Sequence, residues 1–392
     1  RVDEVLRAIG MKTCEYAEEL CTDALNETKM GNVNDKMSKL KGIVFGQWAI
    51  CKGQNTVDYE DSPLEPGIKI LYKPMGVIGC VMPSTNPVAI IGNAMMALKG
   101  RNSVIIAPHP MSVRLSVKMV KLLREALESV GAPADLIQCI SEEYASREAT
   151  NLMMSTCDAC ISTGGAGRVK AAYSSGKPAF GVGQGNVQEI VDLGISDAEL
   201  ERQATLCVAH RAKDNGVPCA GAQTVHIHAQ QLEQWKGYMQ EHGAFLIDKD
   251  EDIAALRALV FPDGGTKLNR AVVGKFPYQV GEMCGLNIPE TAKIMLVKNQ
   301  AWGEAEVLCR EILFPIVRYT VYEKFEDAVD RAVANLEVEG AGHTSTLWTT
   351  NDDHVEYAAK RIPVGRFHIN QPTMGGRIPI ITSITIGCGT RG

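Results

Sequence analysis

Five short apolar runs, at residues 76–82, 103–107, 136–140, 159–162 and 187–191, are separated by stretches that include helix-like segments at 88–98, 113–130 and 168–174. A strand that is apolar along its whole length is buried on both faces. Strands alternating with helices build βαβ units, so this pattern demands a parallel sheet covered by helices on both sides. Such sheets bind ligands beyond the carboxyl ends of their strands, which directs attention to the loops that follow these runs.

A second alternating series follows Cys219, with strands expected at 223–228 and 314–321 and helices at 230–241 and 325–336. The helix-like run 197–213 separates the two series and puts a domain change near residue 190. The expected fold is therefore α/β, divided as 1–190, 191–365 and a C-terminal return segment 366–392, and 392 residues suffice for two cores. Ahead of the first series, Val2, Val5, Leu6 and Ile9 recur at helical spacing, as do Ala17, Leu20, Cys21, Ala24 and Leu25. Residues 54–67, polar and broken by Pro63 and Pro66, read as a loop, and 68–73 as a strand closed by Pro74.

Composition narrows the partners. Apolar residues at 45% and charged residues at 22% belong to a water-facing globular chain, and a formal charge of −6 argues against nucleic acid. No apolar run is long enough for a membrane helix. Because the chain opens at Arg1, a leader ahead of it stays an open matter. The 12 cysteines stand mostly among apolar neighbours, as in Ile78-Gly79-Cys80-Val81, which suggests reduced thiols in the cytoplasm. Cys157-Asp158-Ala159-Cys160 has redox-motif spacing but runs into an apolar strand. No second Cys/His pair stands at zinc spacing, so no metal is expected.

Four motifs can carry chemistry. Ser162-Thr163-Gly164-Gly165-Ala166-Gly167 joins a strand to a helix, where glycines admit a cofactor and the helix start favours negative charge. Gly181-Val182-Gly183-Gln184-Gly185-Asn186 is either a second such crossing or a tight reversal. Asp214-Asn215-Gly216-Val217-Pro218-Cys219 displays a thiol just after a turn, where a thiolate could reach a cleft. Asn86, in Pro83-Ser84-Thr85-Asn86-Pro87, either caps the next helix or donates its amide to a developing oxyanion.

Together with Pro108-His109-Pro110, the run from Lys170 through Ala179, Gly340-Ala341-Gly342-His343-Thr344-Ser345 and Gly387-Cys388-Gly389, these motifs resemble the coenzyme-A-acylating branch of the aldehyde dehydrogenase superfamily. The resemblance covers nearly the whole chain. It implies a Rossmann-type nicotinamide domain over 1–190 and a catalytic domain carrying the nucleophile Cys219 over 191–365. It places Asn86 at the oxyanion, and Thr163, Gly164, Gly165, Pro108, His109, Gly183 and Glu311 around NAD or NADP. It also implies coenzyme A as co-substrate and a homo-oligomer joined by edge strands, with residues 68–73 and 378–386 as candidates. The compartment it suggests is the cytoplasm, with a bacterial microcompartment as the finer alternative.

Hydrolytic members of that superfamily hold a water-activating Glu in the segment corresponding to 181–186, and here that segment has no carboxylate. The acyl-enzyme should then wait for the thiol of coenzyme A. Ala107 and Pro110 stand where a Lys-and-Glu pair grips the adenosine ribose in hydrolytic relatives, which leaves NAD against NADP open. Basic residues His210, Arg211 and Arg377, with His343, suggest a pocket for an anionic aldehyde such as sulfoacetaldehyde. The alternatives are a hydrolytic aldehyde dehydrogenase and a non-catalytic cofactor-binding assembly module.

Overall fold

The computed structural model describes residues 1–374. Three helices open the chain, α1 (Val2–Glu15), α2 (Ala17–Thr28) and α3 (Val33–Cys51). α1 buries Val5, Leu6 and Ile9 and α2 buries Leu20, Cys21 and Ala24, the spacing of helices with one apolar face. Asn32 starts α3 by accepting the Asp35 N–H at 2.9 Å. An antiparallel ribbon follows, β1 (Tyr59–Asp61) with β2 (Lys69–Leu71). The expected loop 54–67 thus contains a strand, and the expected strand 68–73 is shorter. Neither strand has a buried face, so no alternation marked β1.

Strands β3 (Val77–Val81), β4 (Ser103–Ala107), β5 (Ile137–Cys139), β6 (Ala159–Thr163) and β7 (Ala179–Val182) form a parallel sheet in the order β5-β4-β3-β6-β7. Helices α4 (Ala89–Lys99), α5 (Val113–Ser129), α6 (Arg147–Thr156) and α7 (Ala166–Tyr173) connect them. Strand order turns at β3, with β4 on one side and β6 on the other, which opens a crevice at the carboxyl ends.

The run 187–191, read with the first series, is instead β8 (Val187–Val191) of a second parallel sheet. The other strands of that sheet are β9 (Ala222–His228), β10 (Ala244–Ile247), β11 (Ile294–Lys298), β12 (Ile316–Tyr322), β13 (Thr344–Trp348) and β14 (Arg366–Ile369). The order is β10-β11-β12-β9-β8-β13-β14. The sheets therefore divide in the link 183–186, ahead of the boundary expected near 190. An apolar run shows that a strand is buried on both faces, but not which sheet it joins. Helix α8 (Asp197–Ala212) leads from β8 towards β9.

That link runs from the carboxyl end of β7 straight into the amino end of β8. The carboxyl ends of the first sheet consequently face the amino ends of the second. Loops after β3, β4 and β6, and segments before β8, β9, β12 and β13, line one cavity of about 860 Å³. Chemistry was expected after strands; in the second sheet the cavity is lined by residues that precede them. Among the described residues no helix is long and apolar enough to cross a membrane, and no three His, Cys, Asp or Glu residues converge as metal ligands.

Candidate active site

Cys219 is half-buried on the cavity wall, between α8 and β9. The chain reaches it through Asp214, Asn215 and Gly216, three successive residues with positive φ of 49°, 51° and 68°. Holding a non-glycine residue there costs of order 1–3 kcal/mol unless its surroundings compensate, and Asp and Asn bear it best. The compensation is visible. The Asp214 carboxylate accepts Lys36 Nζ at 3.0 Å, Lys39 Nζ at 3.2 Å and the Asn32 N–H at 3.1 Å. The Asp214 N–H donates to Asp35 at 2.8 Å, and Asn215 Nδ2 donates to the Gly274 carbonyl at 3.0 Å. At Gly216 a Cβ would lie 2.3 Å from the Phe314 carbonyl carbon, so only glycine fits. Helix α3 and the strand preceding segment of β12 thereby grip the thiol's loop from two sides.

Gly185 makes the second close approach. A Cβ there would lie 1.9 Å from the Cys219 carbonyl oxygen, so no side chain fits at that position in this backbone. Its N–H donates to Glu311 Oε1 at 2.6 Å. Burial, and then the neighbouring Glu339, push the Glu311 carboxyl up to about 8; the Gly185 N–H, Arg211 and Arg318 pull it partly back. Gln184 Nε2 donates to Glu339 at 2.6 Å. Glu339 also accepts the Glu311 N–H at 2.6 Å and faces Arg310 at 3.9 Å.

The other wall carries the glycine-rich turn. Gly165 is the N-cap of α7, and Thr163, Gly164 and Gly165 all line the cavity. Thr163 Oγ1 is buried without a hydrogen-bond partner, and a ligand phosphate would supply one. With the start of α7 beside it, this wall fits a dinucleotide's pyrophosphate. Pro108, His109, Gly183 and Glu311 line the same cavity. His109 Nδ1 accepts the Met111 N–H at 3.1 Å.

Asn86 sits in the turn whose Pro83, Ser84 and Thr85 line the cavity. It does not cap α4, which has no side-chain cap, and its buried Oδ1 has no partner. Three expected substrate residues lie elsewhere. Arg211 is fully buried and donates to the carbonyls of Ile312, of Phe314 at 2.8 Å and of Ile316 at 2.9 Å. It therefore shapes the segment that carries Glu311 rather than meeting a ligand. The Nδ1 of His210 is buried off the cavity, at the end of α8. His343, 2% exposed, faces Thr344 Oγ1 at 3.0 Å, and burial, then Arg366, push its pKa down to about 3. Arg377 and the expected strand 378–386 lie outside the described residues. The sequence had not singled out Arg147, Arg168, Lys267, Arg270 and Arg310, all of which line the cavity. A lone arginine reads as a solvated surface group, and only the fold collects these into one place.

Two parallel α/β layers meet strand end to strand end, with a cysteine on one wall of the cavity between them and a helix start on the other. The chain belongs to the aldehyde dehydrogenase family: the sequence profile described as "Aldehyde dehydrogenase family" matches residues 25–250. It is 38% identical over 397 residues to the succinate-semialdehyde dehydrogenase (acetylating) of Clostridium kluyveri, covering 100% of this chain and 86% of that one. It superposes on an acetylating aldehyde dehydrogenase from Geobacillus thermoglucosidasius with a TM-score of 0.89 at 30% identity, covering 99% of this chain and 83% of that one. A propionaldehyde dehydrogenase from Rhodopseudomonas palustris, solved with bound CoA and an acylated cysteine, gives a TM-score of 0.79 at 27% identity, covering 95% and 83%. All three are similar to this chain over nearly its whole described length.

Proposed function

We propose that this protein converts a small aldehyde and coenzyme A to an acyl-CoA, reversibly, with NAD or NADP as hydride acceptor. The observation that carries the reading is the missing hydrolytic base. Residues 181–186 hold no carboxylate, position 185 has no room for a side chain, and the carboxyl across it, Glu311, is held protonated up to about 8. A protonated carboxyl cannot take a proton from water.

In this mechanism the Cys219 thiolate attacks the aldehyde carbonyl, forming a C–S bond and an oxyanion. The Asn86 amide and the Cys219 backbone N–H hold that oxyanion. Bound nicotinamide supplies the hydride acceptor. Thr163, Gly164, Gly165, Pro108, His109, Gly183 and Glu311 hold the dinucleotide. The thioester then left on Cys219 is attacked by the coenzyme A thiol, with the Cys219 thiolate as leaving group. Thiol exchange needs little base help near neutral pH, whereas water does.

The substrate class is an anionic aldehyde, such as sulfoacetaldehyde or succinate semialdehyde. Arg147 and Lys267, which line the cavity, take the place of Arg211 and His210 as the cations for its tail. The reaction belongs in the cytoplasm, which suits a chain whose described cysteines are not joined in disulfides. The exposed β1–β2 ribbon, with Tyr59, Leu64 and Tyr72 on its surface, is the contact for a homo-oligomer.

A product assay over several aldehydes, with and without coenzyme A and with each cofactor, tests the reading. Acyl-CoA should form only with coenzyme A, faster from the anionic aldehydes than from acetaldehyde. Rapid release of free acid at neutral pH without coenzyme A contradicts it. Glu311 is neutral below its pKa of about 8 and ionised above. Slow acid release should therefore rise above about that pH and disappear in Glu311→Gln; a flat profile removes Glu311 as the latent base.

A further inference from the structure

We propose, resting on the acyl-CoA reading above, that Arg168, Arg270 and His109 clamp a dianionic phosphate borne on a ribose, the 2′-phosphate of NADP or the 3′-phosphate of coenzyme A. All three residues line the cavity. They come from three places in the fold: Arg168 from the first turn of α7, packed against Gly164, Arg270 from the turn Arg270–Val272 of the second unit, and His109 from the loop after β4. Both guanidiniums act electrostatically on His109, and Arg270 acts on Arg168.

Neither guanidinium has a carboxylate within ion-pair distance among the described residues, whereas Arg310 in the same cavity faces Glu339 and Arg257 is closed by Glu306. Arg168 is half-buried and Arg270 exposed, and like charges gathered on one wall repel, which an anion from outside relieves. Chain-wide charge is −6, so this concentration of cations runs against the composition. His109 adds a neutral donor. Burial and the two arginines hold its pKa down at about 4, and because Nδ1 accepts the Met111 N–H, the ring proton sits on Nε2.

Position selects the phosphate. The start of α7 and the Thr163 hydroxyl serve the pyrophosphate. Nicotinamide and the coenzyme A thiol must both reach Cys219, so the adenosine end of either ligand extends away from it. His109 follows β4, which lies beyond β3 from β6 and its glycine turn. A doubly charged phosphate there matches two guanidiniums, which bind phosphate oxygens in pairs.

Equilibrium binding tests this without turnover, using NADPH against NADH, and coenzyme A against 3′-dephospho-coenzyme A. The wild-type protein should prefer the phosphorylated member of at least one pair by roughly tenfold or more, and added salt should erode the preference. The pair that shows it identifies the source of the phosphate. Arg168→Met and Arg270→Met should each reduce the preference to within about twofold, the phosphorylated ligand losing more affinity than its unphosphorylated counterpart, and Arg168→Lys should retain part of it. Equal affinities within both wild-type pairs, or a preference that survives both methionine variants, overturns the clamp. If the protein makes no acyl-CoA with saturating NAD but keeps the binding preference, the reaction assignment fails and the clamp stands.

Discussion

Replacing Cys219 with alanine should lower acyl-CoA formation, and acyl-CoA reduction in the reverse direction, by about 10,000-fold or more, while dinucleotide binding is retained. The size of the effect follows from the mechanism. No carbon–sulfur bond can form, so there is no hemithioacetal from which hydride can leave and no ester for coenzyme A to attack. The fold should survive, because the loop is held upstream of the thiol by Asp214, Asn215 and Gly216, and the half-buried sulfur is not part of a core cluster. Steady-state rates in both directions, with a binding titration on the same preparation, check the outcome. Substantial turnover by the alanine variant removes Cys219 from the chemistry.

Asp214→Asn should destabilise the protein by about 3–5 kcal/mol, a large share of the roughly 5–15 kcal/mol typical of a folded domain. Lys36 is 3% exposed, and burial already pulls its pKa down while Asp214 holds it up. Removing the carboxylate's charge leaves that ammonium, and Lys39 beside it, without a compensating anion. The strained turn also loses what holds it, so the thiol's position should suffer before the protein unfolds. The predicted signature is a fall in kcat greater than any change in KM, alongside a lower denaturant midpoint. Pairing Asp214→Asn with Lys36→Met should recover part of the stability, since a buried charge without a partner costs more than no charge at all. A single variant as stable as the parent would show that the ion pair does not hold the turn.

The first sheet was legible because fully apolar runs announce strands buried on both faces, and β3, β4 and β6 lie where those runs were read. Strand β7 was less so: two of its residues, Gly181 and Val182, look like part of a glycine-rich turn. The sheet membership of β8 was not legible at all, since nothing in Val187–Val191 records its neighbours β9 and β13. The Thr163–Gly164–Gly165 turn and the turn ahead of Cys219 are written in adjacent residues, yet on those residues alone an inert core thiol was the commoner reading, and the resemblance along the whole chain singled Cys219 out. The Lys36–Asp214 pair spans 178 positions, and Arg211 reaches carbonyls more than 100 positions away, so their roles appear only after folding. Arg211 shows the cost of reading charge without burial: a cation close in sequence to Cys219 proved to be an internal brace.

The most direct test of the central claim is intact-protein and peptide mass spectrometry after mixing enzyme, aldehyde and oxidised cofactor at neutral pH without coenzyme A. A single acyl group should accumulate on the peptide carrying Cys219, persist on the timescale of a turnover, and discharge as acyl-CoA when coenzyme A is added. An unmodified Cys219 peptide with free acid in solution would contradict the account.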